Sequence, residues 1–319
     1  MIADIALFIG GVGVLYFGAE WLVRGSSRLA ASLGVSPIVV GLTVVSAGTS
    51  APELVISVVA SWNENYDLAI GNVMGSNLAN IGLVLGISAI VRPLRVSTRV
   101  VTREVSVMFF ITLALLPLIW DSQLGRFEGA LLVTMLVVYL GLVRRSSKTE
   151  DTEAQHVPGE ATTVETGGVS SRTITRDSIL IVLGIAGLGL GAVAINKSAL
   201  ALAEAMGISQ LVIGLTLVSI GTSLPELATC VVAALRHQAD IAVGNILGSN
   251  VFNIAGVLGV TSIVAPLTFD PDVLRLDYLA VMAMTVLLVP IVRHKLVIRR
   301  REGVVLLSIY LALITFVVI

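Results

Sequence analysis

Residues Gly41–Glu53 read GLTVVSAGTSAPE, and residues Gly214–Glu226 read GLTLVSIGTSLPE; ten of the thirteen positions agree. A second pair follows at the same offset of 173 residues. Ala69–Gly86, AIGNVMGSNLANIGLVLG, and Ala242–Gly259, AVGNILGSNVFNIAGVLG, agree at eleven of eighteen positions. No gap separates the two matches, so Glu53 pairs with Glu226, Ser76 with Ser249 and Asn80 with Asn253. The chain is a tandem duplication. Both copies keep a polar, Gly-rich pattern inside strongly apolar sequence, which lipid disfavours unless the polar groups build a site.

The surrounding composition is that of a membrane chain. Hydrophobic residues make up 56%, charged residues 13%, and the mean hydropathy is +0.98, whereas a soluble domain carries about 25% charged residues. A net charge of −1 gives no reason to expect a nucleic-acid partner. The single cysteine, Cys230, excludes an internal disulfide and reads as a small buried hydrophobe. Three scattered histidines lack zinc-binding spacing. No G-x-x-x-x-G-K-[ST] loop is present, which argues against ATP-driven pumping, and no nucleophile–base pair suggests an enzyme or a cofactor. The apolar N-terminal segment lacks a basic leader and a small-residue cleavage site, so it reads as a first span and not a signal peptide.

A span needs about 20 apolar residues. Ten segments qualify: 4–23, 36–61, 67–91, 104–120, 124–143, 178–196, 209–235, 241–266, 273–292 and 303–319. The expected fold is an all-α polytopic membrane protein of ten transmembrane helices. Residues 1–143 form a first five-helix repeat, 144–177 a polar cytoplasmic linker, and 178–319 a second five-helix repeat. An odd number of spans per half makes the second copy enter from the opposite side, a 5+5 inverted-topology repeat. With the linker placed in the cytoplasm, 17 of the 20 basic residues fall inside, and only Arg126, Lys197 and Arg275 fall outside. This satisfies the positive-inside rule with both termini extracytoplasmic.

Within G-T-S-x-P-E, residues 48–53 and 221–226, Pro52 and Pro225 lack an N–H and break or kink a helix. Carbonyls near Thr49 and Thr222 then lose their helical partners, and a cation is one group that satisfies them in lipid. Glu53 and Glu226 are the acids deep in the motif spans, and an intramembrane carboxylate points to function. In G-N-x-x-G-S-N-x-x-N, residues 71–80 and 244–253, Asn72, Ser76 and Asn80 recur every four residues, as do Asn245, Ser249 and Asn253. Each triplet lays a polar stripe along a helix. The four-residue glycine spacing within each motif permits close helix packing, and Asn72 and Asn245 serve equally well as packing or capping groups. Oxygen-only donors suit hard cations such as Ca²⁺ and Na⁺. Two carboxylates give −2, which one Ca²⁺, two Na⁺ or two protons neutralise. Such competition for one site is the minimum requirement for exchange. A cation channel is the alternative from another class.

At these residues the chain resembles the Ca²⁺/cation antiporter superfamily, and looks most like prokaryotic sodium/calcium exchangers. The resemblance covers nearly the whole chain, although the central linker is short and carries no acidic calcium-sensor motif. It implies that Glu53 and Glu226 bind Ca²⁺ and Na⁺. It also implies backbone ligands around Ser46, Thr49, Ser219 and Thr222, and side-chain roles for Ser50, Ser223, Ser76, Ser249, Asn80 and Asn253. It further implies alternating access in the cell membrane, with spans 1 and 6 sliding across a core of broken helices 2, 3, 7 and 8. The chain is expected to act as a monomer, with inorganic cations and the lipid bilayer as its partners. Some exchangers carry Asp where this chain has Asn253, so its site is symmetric and has one titratable group fewer. That leaves Na⁺, H⁺ and K⁺ open as the coupled ion; the missing acid argues against K⁺, and Na⁺ is favoured over H⁺ because protons alone need only the two carboxylates.

The charge bias makes the topology testable. In a Cys230→Ser background, cysteines placed at Ser147 and Ser122 are expected to label from opposite sides of the membrane; labelling of both from one side refutes the ten-span arrangement.

Overall fold

The fold is taken from a computed structural model, which describes residues 2–98, 100–154, 171–205, 219–268, 271–293 and 296–318. It is a mostly helical membrane protein. Among the described residues, six helices are long and apolar enough to cross a bilayer: Ile2–Leu33, Tyr66–Val91, Arg126–Arg145, Thr173–Ala203, Ala239–Val264 and Leu276–Arg293. Pro37–Thr49 and Ala51–Trp62, bent by 41° at their junction, make a seventh. The count of ten is not reached on length and composition alone. The helix Val105–Leu118 is short, as is Leu224–Leu235, and Arg300–Val318 starts on three charged residues. The middle of the segment read as the linker, 155–170, lies outside the described residues. The helices Arg126–Ala154 and Ser171–Ala205 extend into it from either side.

Burial sorts these helices into an inner and an outer set. The apolar stretches of Tyr66–Val91 and Ala239–Val264 are 78% and 83% buried, against 22% for Ile2–Leu33. These two inner helices carry the two copies of G-N-x-x-G-S-N-x-x-N. The outer ones expose Phe17, Phe110, Trp120 and Phe127, side chains that a lipid-facing surface accommodates and a water-facing one does not.

The offset of 173 recurs in three dimensions. Leu94–Arg95 pairs antiparallel with Val297–Ile298, and Gln123–Leu124 pairs antiparallel with Leu267–Thr268. Adding 173 to Leu94 gives Leu267, and to Leu124 gives Val297, so the two small sheets are copies of one another. Each joins a segment of one half to a segment of the other.

The first helix, Ile2–Leu33, packs antiparallel along Ser171–Ala205. Gly11 faces Gly191, Gly18 faces Gly184 and Leu188, and Gly25 faces Asp177 and Ile181. The glycines on the first helix fall every seven residues, as do Gly184 and Gly191 on its partner. One strip of each helix thus lacks side chains, and the backbones approach closely. A Cβ at Gly18 would lie 2.6 Å from the Leu188 nitrogen, and one at Gly184 2.6 Å from the Leu22 nitrogen. The neighbouring Gly13 and Gly189 have nothing within 4 Å. Accordingly, Gly18→Ala is expected to destabilise the protein by about 1–3 kcal/mol, the usual range for overpacking. Gly13→Ala should leave stability unchanged. Thermal midpoints of the detergent-purified variants check this; equal midpoints would dismiss the seam as a structural element.

Candidate functional site

The bend in each G-T-S-x-P-E motif has the same local cause. Ser50 (φ −82°, ψ 3°) and Ser223 (φ −84°, ψ 5°) leave helical geometry, and a new helix starts immediately after each, at Ala51 and Leu224. Pro52 and Pro225 sit in the first turn of the new helices, where a missing N–H is tolerated. They therefore start a helix here and do not kink the middle of one. They also offer no N–H to the carbonyls four residues back, those of Gly48 and Gly221. Glu53 and Glu226 fall one residue later, in the first turns of these helices, where the helix dipole favours negative charge.

Both carboxylates are fully buried, at 0% exposure. They are close enough for the charge of Glu226 to act on Glu53. Ser50 Oγ donates to Glu226 Oε1 at 3.5 Å. Glu53 Oε1 and Oε2, and Glu226 Oε2, have no hydrogen-bond partner among the described residues. Neither acid has a basic partner among the ion pairs of the described residues. Those residues also hold no cluster of three His, Cys, Asp or Glu, so any cation at this place depends on two carboxylates and neutral oxygens.

Two cross-repeat contacts flank the acids. Thr49 Oγ1 lies 3.3 Å from Ser249 Oγ, and Ser76 Oγ lies 3.4 Å from Thr222 Oγ1. Thr49 corresponds to Thr222 and Ser76 to Ser249, so each contact is the copy of the other. Each ties a G-T-S-x-P-E helix of one half to the polar stripe of the other. Thr49 Oγ1 also donates to Asn245 Oδ1 at 3.0 Å. Thr49 and Ser50 lie beside Glu226, and Ser76 beside Glu53.

Asn80 and Asn253 lie at matching breaks. Asn80 begins the π-helical turn Asn80–Val84, and Asn253 lies in the π-helical turn Phe252–Leu258. Such turns shift the hydrogen-bond register by one residue and recur at functional sites. Asn80 Nδ2 donates to Asn250 Oδ1 at 3.5 Å, while Asn80 Oδ1 and both polar atoms of Asn253 lack partners among the described residues. Ser223 Oγ is likewise buried without one. Counting acceptor atoms, Glu53 contributes two oxygens without a protein partner, and Glu226, Asn80, Asn253 and Ser223 one each. Buried oxygens are rarely left so.

Ser46 makes local hydrogen bonds. Its Oγ donates to the Thr43 carbonyl at 3.2 Å, and its own carbonyl accepts from Ser50 N at 2.9 Å. The side chain of Ser219 lies outside the described residues; its backbone begins the helical turn Ser219–Thr222.

Asn72 and Asn245 have separate tasks. Asn72 Nδ2 donates to the Glu53 carbonyl at 3.1 Å and to Ser57 Oγ at 2.9 Å, which braces the helix carrying the acid. Asn245 holds Thr49, and its Nδ2 contacts Cys230 Sγ at 3.4 Å. The thiol is buried, as a small hydrophobe is. Gly244 and Gly248 admit the helix Pro37–Thr49 at backbone contact: a Cβ at Gly248 would lie 2.6 Å from Ser46 Oγ. Gly71, the copy of Gly244, has nothing within 4 Å among the described residues. Asn77 and Asn250, also 173 apart, are buried near this group and fall off the four-residue stripe. Their recurrence in both copies of GSN was the available signal.

Comparison with known proteins agrees with this geometry. The sequence profile of the sodium/calcium exchanger protein family matches residues 3–144 and 178–319. The chain is 37% identical to a putative antiporter, CaxA, of Alkalimonas amylolytica, over 98% of this chain and 97% of that one. It is 31% identical to the sodium/calcium exchanger MaX1 of Methanosarcina acetivorans, over 95% of each. Its fold superposes on a solved structure of the sodium-calcium exchanger NCX_Mj with a TM-score of 0.84 at 30% identity, covering 99% of both chains. With its duplicated acids, paired hydroxyls and matching π turns, the chain belongs to the sodium/calcium exchanger family of membrane cation/Ca²⁺ antiporters.

Proposed function

We propose that this antiporter exchanges Ca²⁺ for Na⁺ by alternating access, moving Ca²⁺ out of the cytoplasm as Na⁺ flows in. The observation that carries this reading is the pair of fully buried carboxylates, Glu53 and Glu226, whose free oxygens lie among symmetric hydroxyl and amide groups. An unpaired charge in a low-dielectric interior is strongly unfavourable, by several kcal/mol per ion. The pair is at ease only with about two compensating positive charges, so Ca²⁺ and two monovalent ions compete for it.

Na⁺ is favoured over H⁺ by the neutral donors. Protons need only the carboxylates. Ser50, Ser223, Ser76, Ser249, Asn80, Asn253, Thr49 and Thr222 add oxygens of the kind Na⁺ and Ca²⁺ take as ligands. Backbone oxygens around Ser46 and Ser219 complete the proposed set.

The arrangement that serves this exchange is ten spans as two inverted five-helix repeats, residues 1–143 and 178–319. These are joined by a cytoplasmic linker, 144–177, with both termini outside the cell membrane and the monomer as the working unit. The repeat offset in the sheets and in the Thr–Ser contacts supports it, as does the bias of 17 basic residues against 3.

The test uses purified protein in liposomes. Ca²⁺ uptake is expected with an outward Na⁺ gradient at fixed pH, and flux that ignores Na⁺ but follows a pH gradient would transfer the assignment to Ca²⁺/H⁺ exchange. Uptake without any counter-ion gradient would indicate a channel. Glu53→Gln or Glu226→Gln should abolish Ca²⁺ transport in protein that still purifies as folded, because one carboxylate cannot neutralise Ca²⁺. Asn80→Ala with Asn253→Ala should alter the Na⁺ dependence of flux; an unaltered dependence would restrict these amides to helix packing.

A further inference from the structure

A cleft of about 850 Å³ lies apart from the buried acids. It opens between the segment after the helix Leu85–Val91, the turn linking Leu224–Leu235 to Ala239–Val251, and the start of Arg300–Val318. Arg92, Arg95 and Arg300 line it, with His237, Gln238 and one acid, Asp240. None of the three guanidiniums has an ion-pair or hydrogen-bond partner among the described residues.

Arg92 and Arg95 come from one segment and Arg300 from a distant part of the chain, and strand pairing holds the two parts together. Leu94 and Arg95 are paired with Ile298 and Val297, and Val96 N donates to the Leu296 carbonyl at 2.9 Å. The turn is held by Gln238 N donating to the Ala233 carbonyl at 2.8 Å and His237 N to the Ala234 carbonyl at 3.2 Å. Basic residues that only orient a membrane protein need to lie in loops on one side. They gain nothing from converging on a cleft, where their mutual repulsion is unfavourable. Convergence is useful to an anion. Guanidinium forks match the oxygens of a phosphate, and the imidazole and amide of His237 and Gln238 add hydrogen-bonding groups. The single carboxylate leaves the cleft net positive.

We propose that this cleft binds the phosphate group of an anionic ligand, presented either by a phospholipid headgroup at the membrane surface or by a free phosphate in solution. Occupancy has a direct structural neighbour. The same turn carries Arg236, whose Nε donates to Glu20 Oε2 at 3.0 Å and so joins the turn to the first helix. A phosphate held by His237 and Gln238 therefore bears on the contact between the first helix and the inner core.

Binding is measured on the full-length purified protein, with no transport required, so its failure is distinct from failure of the exchange reading. Native mass spectrometry is used with phosphatidylglycerol, phosphatidylcholine and inorganic phosphate as separate probes. The cleft variant is Arg92→Gln/Arg95→Gln/Arg300→Gln, and the comparator removes the same charge elsewhere, Arg28→Gln/Arg299→Gln/Arg301→Gln. The wild type is expected to retain phosphatidylglycerol in preference to phosphatidylcholine, or to bind inorganic phosphate; which of the two occurs identifies the source. The cleft variant should lose that binding by on the order of a hundredfold, from about tenfold or somewhat less per arginine, while the comparator keeps it. If the triple variant does not fold, Arg300→Gln alone should show a loss of about tenfold or less. Equal losses in cleft variant and comparator, or no binding of any phosphate probe by the wild type, would overturn the proposal.

Discussion

Two carboxylates stand fully buried inside a membrane protein, with no basic side chain among the described residues paired to either. Much of the inner architecture is arranged around that charge. Each acid is carried at the start of a helix, where the dipole is favourable. Ser76 lies beside Glu53, and Thr49 and Ser50 beside Glu226, and Ser76 and Thr49 each meet a hydroxyl of the other repeat in contacts that are copies of one another. An apolar core would be easier to fold. Unpaired charge in a low-dielectric interior is strongly unfavourable, so two acids held there without a basic partner call for compensation.

Bringing side chains from two halves to one point requires interruptions in the backbone. The bends at Ser50 and Ser223 let one motif start a fresh helix beneath the acid, and the π turns at Asn80 and Asn253 shift the register of the facing helices. Glycine at positions 41, 244 and 248 lets helix backbones approach where a methyl group would collide. Bends, π turns and glycines serve one end: polar atoms from four chain segments meet with their own backbones largely satisfied. Asn72 is an instance, since it returns a hydrogen bond to the carbonyl of the residue that carries the charge.

The repeat made much of this visible before any coordinates. An offset of 173 without a gap identifies pairs of residues, and the structure keeps those pairs in equivalent contacts, as Thr49 with Ser249 and Ser76 with Thr222 show. The helix breaks were legible because proline has no N–H. Their exact form was not: proline's absent donor fits both a kink and a first turn, and the residues that leave helical geometry are Ser50 and Ser223. The π turns left no mark in composition or spacing, since one extra residue per turn is set by how neighbouring helices pack. Asn245 illustrates a further limit. The four-residue stripe placed it on the correct face, but whether it meets an ion or another side chain depends on where Thr49 lies, and that is decided across the two halves. The span count was the least legible quantity, because an interrupted helix meets neither a length nor a composition rule.

The seam between Ile2–Leu33 and Ser171–Ala205 has a mechanical consequence. Glycines on both sides put the two backbones in contact through a long stretch, with one helix drawn from each half of the chain. The side chains that enter the seam, Leu22, Ile181 and Ile195, are buried against the facing glycines, so neither helix has room to turn or lean without the other. The pair behaves as a single beam with one end in each half. A beam of this kind has one degree of freedom where two separate helices would have two. Displacement of one helix is then passed to its partner from the other half of the chain by steric contact alone.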